Sequence, residues 1–150
     1  MTGAVDMVNS PPHYLRGGME TIDVIERWGL GYHEGTFIKY TLRAGHKGDT
    51  IFHELEDKKK ALWFLERKKQ IGGAIHIQHS DAPFDVDSVC KAFELDSYSA
   101  TAVRYLHDGD LDGAIAVTRT SIAILELHCS QVYGRTTPMS TSQSLERGER

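Results

Sequence analysis

The sequence predicts an all-α protein in which helical hairpins pack as a small bundle. Apolar residues recur at helical spacing through most of the chain, and glycine-centred breaks separate those stretches. A chain of 150 residues suits one domain with a tail and buries an ordinary core without staples.

Taken in order, "VNSPPHYLRGG" holds two prolines and two glycines and predicts an extended arm or loop. In "METIDVIERWGL", Ile22, Ile25 and Trp28 share one helical face and Gly29 is a stop signal. "EGTFIKYTLRA" predicts a short helix that turns Phe37, Ile38, Thr41 and Leu42 inward and ends at Gly45. The strongest helix is "TIFHELEDKKKALWFLERKK", with a stripe of Ile51, Leu55, Leu62 and Leu65, acids early, lysines late, and Thr50 with Glu54 as a cap signal. Residues 71–84 break the pattern; "GAIHIQ" within them has strand-like character but reads as linker. Helical spacing resumes with Val86, Val89, Cys90 and Phe93, then "SATAVRYL", an "HDGD" turn and "LDGAIAVTRTSIAILELHCSQVYG". Residues 85–133 therefore form a second hairpin packed on the segment 1–70, and the polar, aperiodic residues 134–150 are expected to be a disordered tail.

The two halves echo each other. Lys39-Tyr40, a glycine turn and "ALWFLE" return as Arg104-Tyr105, a glycine turn and "SIAILE". This is the pattern of a degenerate repeat of helical hairpins, although two unrelated amphipathic hairpins can produce the same likeness. The second half lacks counterparts of Glu54, Glu56 and Asp57, so the chemistry is expected in the first.

Charge divides unevenly: residues 1–70 carry 11 Lys/Arg against 10 Asp/Glu, and residues 71–150 carry 6 against 11. That balance speaks against general nucleic-acid binding, which needs a basic face, and leaves room for a small anion held locally. Cys90 and Cys129 lie in apolar helical contexts and read as reduced core residues. The chain starts without a basic-then-apolar leader and has no membrane-length apolar run, so the expectation is a cytoplasmic protein without membrane partners.

The densest cation run is "IKYTLRAGHKGD", with Lys39, Arg43, His46 and Lys47. It fails the Walker pattern, lacking both the spacing and a preceding strand, and "GLGYHEG" fails as a dinucleotide fingerprint. Lys39 and Arg43 still project from one helical face, and Lys47 follows near the next helix N-terminus, which suits a phosphate or diphosphate. A solvated basic face paired with Asp49, Glu54 or Glu56 accounts for the same run. His53, Glu54 and Asp57 lie at helical spacing and make Glu54 and Asp57 candidate metal ligands, Mg2+ being the fitting ion. The competing account is an acidic first turn that complements the helix dipole and pairs with Lys58, Lys60 or Arg43. "PPHY" places His13 and Tyr14 on a stiff arm able to stack on a base or move a proton, or simply to pack.

Together, "VNSPPHY", "GGMETIDVIE", "FIKYTLRAGHKG" and "ELEDKKKALWFLER" resemble a family of short phage proteins that includes a nucleotide kinase without a Walker motif. The likeness keeps order and spacing over residues 8 to 67. It implies a kinase that phosphorylates deoxynucleoside monophosphates of the dTMP/dGMP class from a nucleoside triphosphate donor, in a homo-oligomer. Carried over by position, it implies catalytic roles for Arg43, Lys39, Asp57 and His13, and substrate-binding roles for Tyr14, Tyr40, Lys47, Lys60, Glu20 and Asp23. Two departures bear on base preference: Gly35-Thr36 stands where the family often has Gly-Asn, and Phe64 where Tyr is common. Two other functions fit the residues: a metal-dependent MazG-like pyrophosphohydrolase, and a non-catalytic protein that sequesters a signalling nucleotide.

Overall fold

The computed structural model describes residues 15–16, 18–44 and 50–137. Strands β1 (Leu15–Arg16) and β2 (Met19–Glu20) pair antiparallel, Arg16 opposite Met19, around the left-handed turn residue Gly18. Among the described residues six helices follow: α1 (Thr21–Arg27), α2 (Tyr32–Arg43), α3 (Ile51–Ile71), α4 (Val86–Ala92), α5 (Ser97–His107) and α6 (Leu111–Tyr133). The all-α expectation holds; of the expected linker 71–84, Ile71 is the last residue of α3 and 72–84 carries neither helix nor strand.

The order short, medium, long occurs twice. Helices α1 and α4 have 7 residues each, α2 and α5 have 12 and 11, and α3 and α6 have 21 and 23. The matching positions share local chemistry. Trp28 and Phe93, both fully buried, follow α1 and α4; Gly29 (φ 64°) and Glu94 (φ 54°) then turn left-handed. Leu30 N–H closes onto the Ile25 carbonyl and Leu95 N–H onto the Cys90 carbonyl, each at 3.1 Å. These caps satisfy the last carbonyls of each short helix and aim the chain into the next one.

Helix starts are set by side-chain caps. Thr50, Asp85, Asp96 and Asp110 accept from the backbone N–H of His53, Ser88, Ser99 and Gly113. Thr50 thus caps α3 as the sequence implied, but its side-chain partner is His53 Nδ1 at 2.7 Å, while Glu54 turns to Lys58.

Helix α2 packs on α3, α5 on α6, and the long helices α3 and α6 join the two hairpins. Gly35 lets α2 sit close to α1, a Cβ there standing 3.1 Å from Ile25 Cγ2, tighter than ordinary contact. The main core gathers Trp28, Phe37, Leu42, Leu65, Phe93 and Leu106, and a smaller cluster of Phe52, Leu55, Ile122 and Cys129 closes the far end of α3 and α6. Cys90 and Cys129 are buried free thiols, as expected. The linker is tied down: Gln78 N–H donates to the Trp28 carbonyl at 2.9 Å, and Trp28 Nε1 donates to the Phe84 carbonyl at 2.8 Å.

A buried cation stitches the halves. Lys58 on α3 donates to Ser121 Oγ on α6 at 2.7 Å and to the Asp96 carboxylate that caps α5 at 3.1 Å, with Glu54 at 3.5 Å. Burial tends to raise the Asp96 carboxyl, but the Ser99 N–H and the Lys58 ammonium outweigh it and hold the group below the usual carboxylate range. Among the described residues, no helix is long and apolar enough to cross a membrane.

Candidate functional site

Packing α2 against α3 brings together five residues of the sequence-derived site. Lys39, Tyr40 and Arg43 lie in the second half of α2, and Asp57 and Lys60 in the first half of α3. The Tyr40 ring is their meeting point: Arg43 Cζ lies 4.7 Å from its centroid, Lys39 Nζ 5.3 Å and Lys60 Nζ 5.5 Å. Such contacts hold cations beside a half-buried ring at modest energetic gain. The opposing stack is Phe64, with ring planes 20° apart and centroids 6.3 Å apart. Tyr40, given a substrate-binding role by the resemblance, thus gathers the cations and packs on Phe64.

Arg43 and Asp57 form an ion pair inside the α2–α3 interface, Nη2 to Oδ1 at 3.1 Å, with both side chains at or below 5% exposure. The second Asp57 oxygen has no hydrogen-bond partner among the described residues. Burial of this depth makes each charge depend on the other, since an ion taken out of water needs a close counter-charge. Asp57 thus fixes the guanidinium in place.

The acidic turn of α3 follows the pairing account. Glu54 faces Lys58, Glu56 faces Lys60 at 3.4 Å, and Asp57 faces Arg43. Glu54 and Asp57, the candidate metal ligands, each face a cation here, and no group of three or more His, Cys, Asp or Glu side chains suited to a metal ion gathers among the described residues. His53, placed with them on sequence spacing, is engaged by Thr50. The Glu54–Lys58 and Glu56–Lys60 pairs follow from i, i+4 spacing on α3, whereas Asp57–Arg43 forms because α2 packs against α3.

Glu20 ends β2 and Asp23 stands in the first turn of α1, both half-buried and on elements other than the two that carry the cation cluster. Thr36, at the departure noted above, spends its hydroxyl on the Tyr32 carbonyl at 2.6 Å. His13, Tyr14, His46 and Lys47 lie outside the described residues, as does the tail beyond residue 137.

Two features were not legible as site residues. Glu34, buried in α2, meets Lys68 of α3 at 3.6 Å and forms a second ion pair across the same interface. Phe64 is the hub of an aromatic group, meeting Tyr32 at 5.8 Å, His33 at 6.3 Å and Trp63 at 4.9 Å. The "WFLE" stretch following Lys60 at helical spacing was the available signal.

Residues 8–66 match the profile of a domain family described as a protein of unknown function, DUF3310. That span nearly coincides with the stretch carrying the resemblance and includes the whole cation cluster. No curated protein and no solved structure matches the chain.

Proposed function

We propose that the chain is a nucleotide kinase that transfers a phosphoryl group from a nucleoside triphosphate to a deoxynucleoside monophosphate. The observation that carries this reading is the convergence of Lys39, Arg43 and Lys60 from two helices onto the Tyr40 ring. Phosphoryl transfer needs positioning and charge neutralisation more than covalent chemistry from the protein. A fixed guanidinium flanked by two lysines supplies both, arginine by its forked donors and lysine as a mobile point charge.

In this reading a phosphate oxygen of the monophosphate attacks the γ-phosphorus of the donor. The bond from that phosphorus to the bridging oxygen breaks, and two diphosphates leave. The attacking oxygen belongs to a phosphate whose second proton dissociates near pH 6, so at neutral pH it is already an anion and needs no general base. Asp57 is then a positioning residue for Arg43, a role consistent with its burial. His13, Tyr14 and Lys47 would complete the substrate contacts. A homo-oligomer remains part of the proposal, through the resemblance alone.

The test is chromatography of nucleotides after the purified chain is incubated with each deoxynucleoside monophosphate and a triphosphate, with magnesium and with chelator. New deoxynucleoside diphosphate is the expected result. Monophosphate and pyrophosphate formed from the triphosphate alone would instead identify a pyrophosphohydrolase. Tight binding with unchanged nucleotides would identify a sequestering protein.

A further inference from the structure

Among the described residues, part of one face of α3 borders a groove. Phe52, Leu55, Lys59 and Trp63 form its floor, and Thr136 and Thr137, just past the end of α6, form its wall. Its volume is about 360 Å³, within the range of roughly 300–1,000 Å³ typical of small-ligand sites. Arg135 stacks over Phe52 at 4.9 Å and anchors that wall. Trp63 is 57% exposed, whereas the other tryptophan, Trp28, is fully buried.

We propose that this groove seats the heteroaromatic base of a nucleotide, stacked on the Trp63 indole, with its phosphates directed toward Lys60. The inference rests on the nucleotide reading above and assigns a base subsite to it. Three observations carry it. Tyr40, the aromatic of the cation cluster, already packs on Phe64 and beside the cations. Lys60 both lines the groove and lies 5.5 Å from the Tyr40 centroid, so the apolar floor runs directly into the phosphate-suited cluster. The lining is also mixed as a base requires. It offers apolar and indole surface for the ring faces, two threonines for the ring edge, and Glu56 as an acceptor for a base N–H or sugar hydroxyl. The salt bridges of Lys59 to Glu126 and Lys60 to Glu56 are half-exposed and yield readily to a phosphate.

The experiment uses the full chain and compares dTMP and dGMP with inorganic pyrophosphate, which has charge but no base. Calorimetry measures affinity and tryptophan fluorescence reports the ring. The expected result is quenching of the exposed indole by the nucleotides but not by pyrophosphate. Trp63→Leu should weaken nucleotide binding about 5- to 150-fold, the range for one base–aromatic stack, and leave pyrophosphate binding unchanged. Trp63→Phe should restore most of the loss, which separates stacking from a fold defect. Normal nucleotide binding by Trp63→Leu would overturn the base subsite while leaving the kinase reading intact. Failure of the wild-type chain to bind any nucleotide would remove both. If Trp63 emission changed only with protein concentration, and the mass measured by light scattering doubled, the groove would be a contact between copies and the proposal would be wrong.

Discussion

Asp57→Ala removes the carboxylate that faces Arg43 Nη2 at 3.1 Å in a place where both side chains are at most 5% exposed. Breaking a buried pair from one side costs about 3–5 kcal/mol, because the remaining ion keeps its desolvation penalty and loses its counter-charge. With a urea dependence of ~2 kcal/mol per molar, the unfolding midpoint should fall by about 2 M. Urea titration at pH 7, followed by far-ultraviolet circular dichroism and by the emission of buried Trp28, measures this directly. The paired replacement Arg43→Met with Asp57→Leu should be far less costly than the sum of the two single changes, since it removes both charges and keeps apolar volume. An Asp57→Ala effect under about 0.5 kcal/mol, the scale of a solvent-exposed pair, would refute the claim that this ion pair organises the α2–α3 interface.

Two further predictions concern groups away from the cluster. His107 packs edge-on to Trp28 at 4.8 Å and against His79 at 4.4 Å, its Nε2 buried without a hydrogen-bond partner among the described residues. Burial, reinforced by His79 and partly opposed by Asp108, holds its pKa below the ordinary 6.5. A base with a depressed folded pKa takes up its proton more readily when unfolded, so stability should decline as pH drops below about 6.5 and level off below the folded value. Unfolding midpoints from pH 8 to 5 check this, and His107→Phe should flatten the slope; an unchanged slope would contradict it. Cys90 and Cys129 have thiols pushed above their usual pKa by burial. Neither should react with a disulfide reagent at pH 8 in the native protein, and both should react promptly in denaturant.

Much of the fold could be read from residue spacing because amphipathic helices advertise themselves: the stripe Ile51, Leu55, Leu62, Leu65 marks α3 without any tertiary information. The linker and the division into two hairpins followed from glycine breaks and lost periodicity. The hairpin at Leu15–Arg16 and Met19–Glu20 was not legible, since two-residue strands leave no alternation to detect. In the candidate site, helical spacing placed Lys39 and Arg43 on one face and offered Lys58, Lys60 or Arg43 as partners for the α3 acids. Spacing within one helix cannot show which side chain of a neighbouring helix lies opposite. That is why the Asp57–Arg43 pairing, the Glu34–Lys68 bridge and the reach of Lys58 to Asp96 and Ser121 emerge only in three dimensions. The same limit hid the exposure of Trp63, which shares α3 with the buried Phe52, Leu55 and Leu65.

The central claim is that Lys39, Arg43 and Lys60 form the seat of a nucleotide phosphate. Calorimetric titration of dTMP and dGMP into the wild-type chain and into the Lys39→Gln/Lys60→Gln double variant tests it most directly. Both lysines are at least partly exposed, so the variant should fold normally. The account predicts saturable binding to the wild type that weakens with added salt and falls roughly 10- to 100-fold in the variant, as loss of two charge-assisted contacts requires. Equal affinity in the two proteins would contradict it.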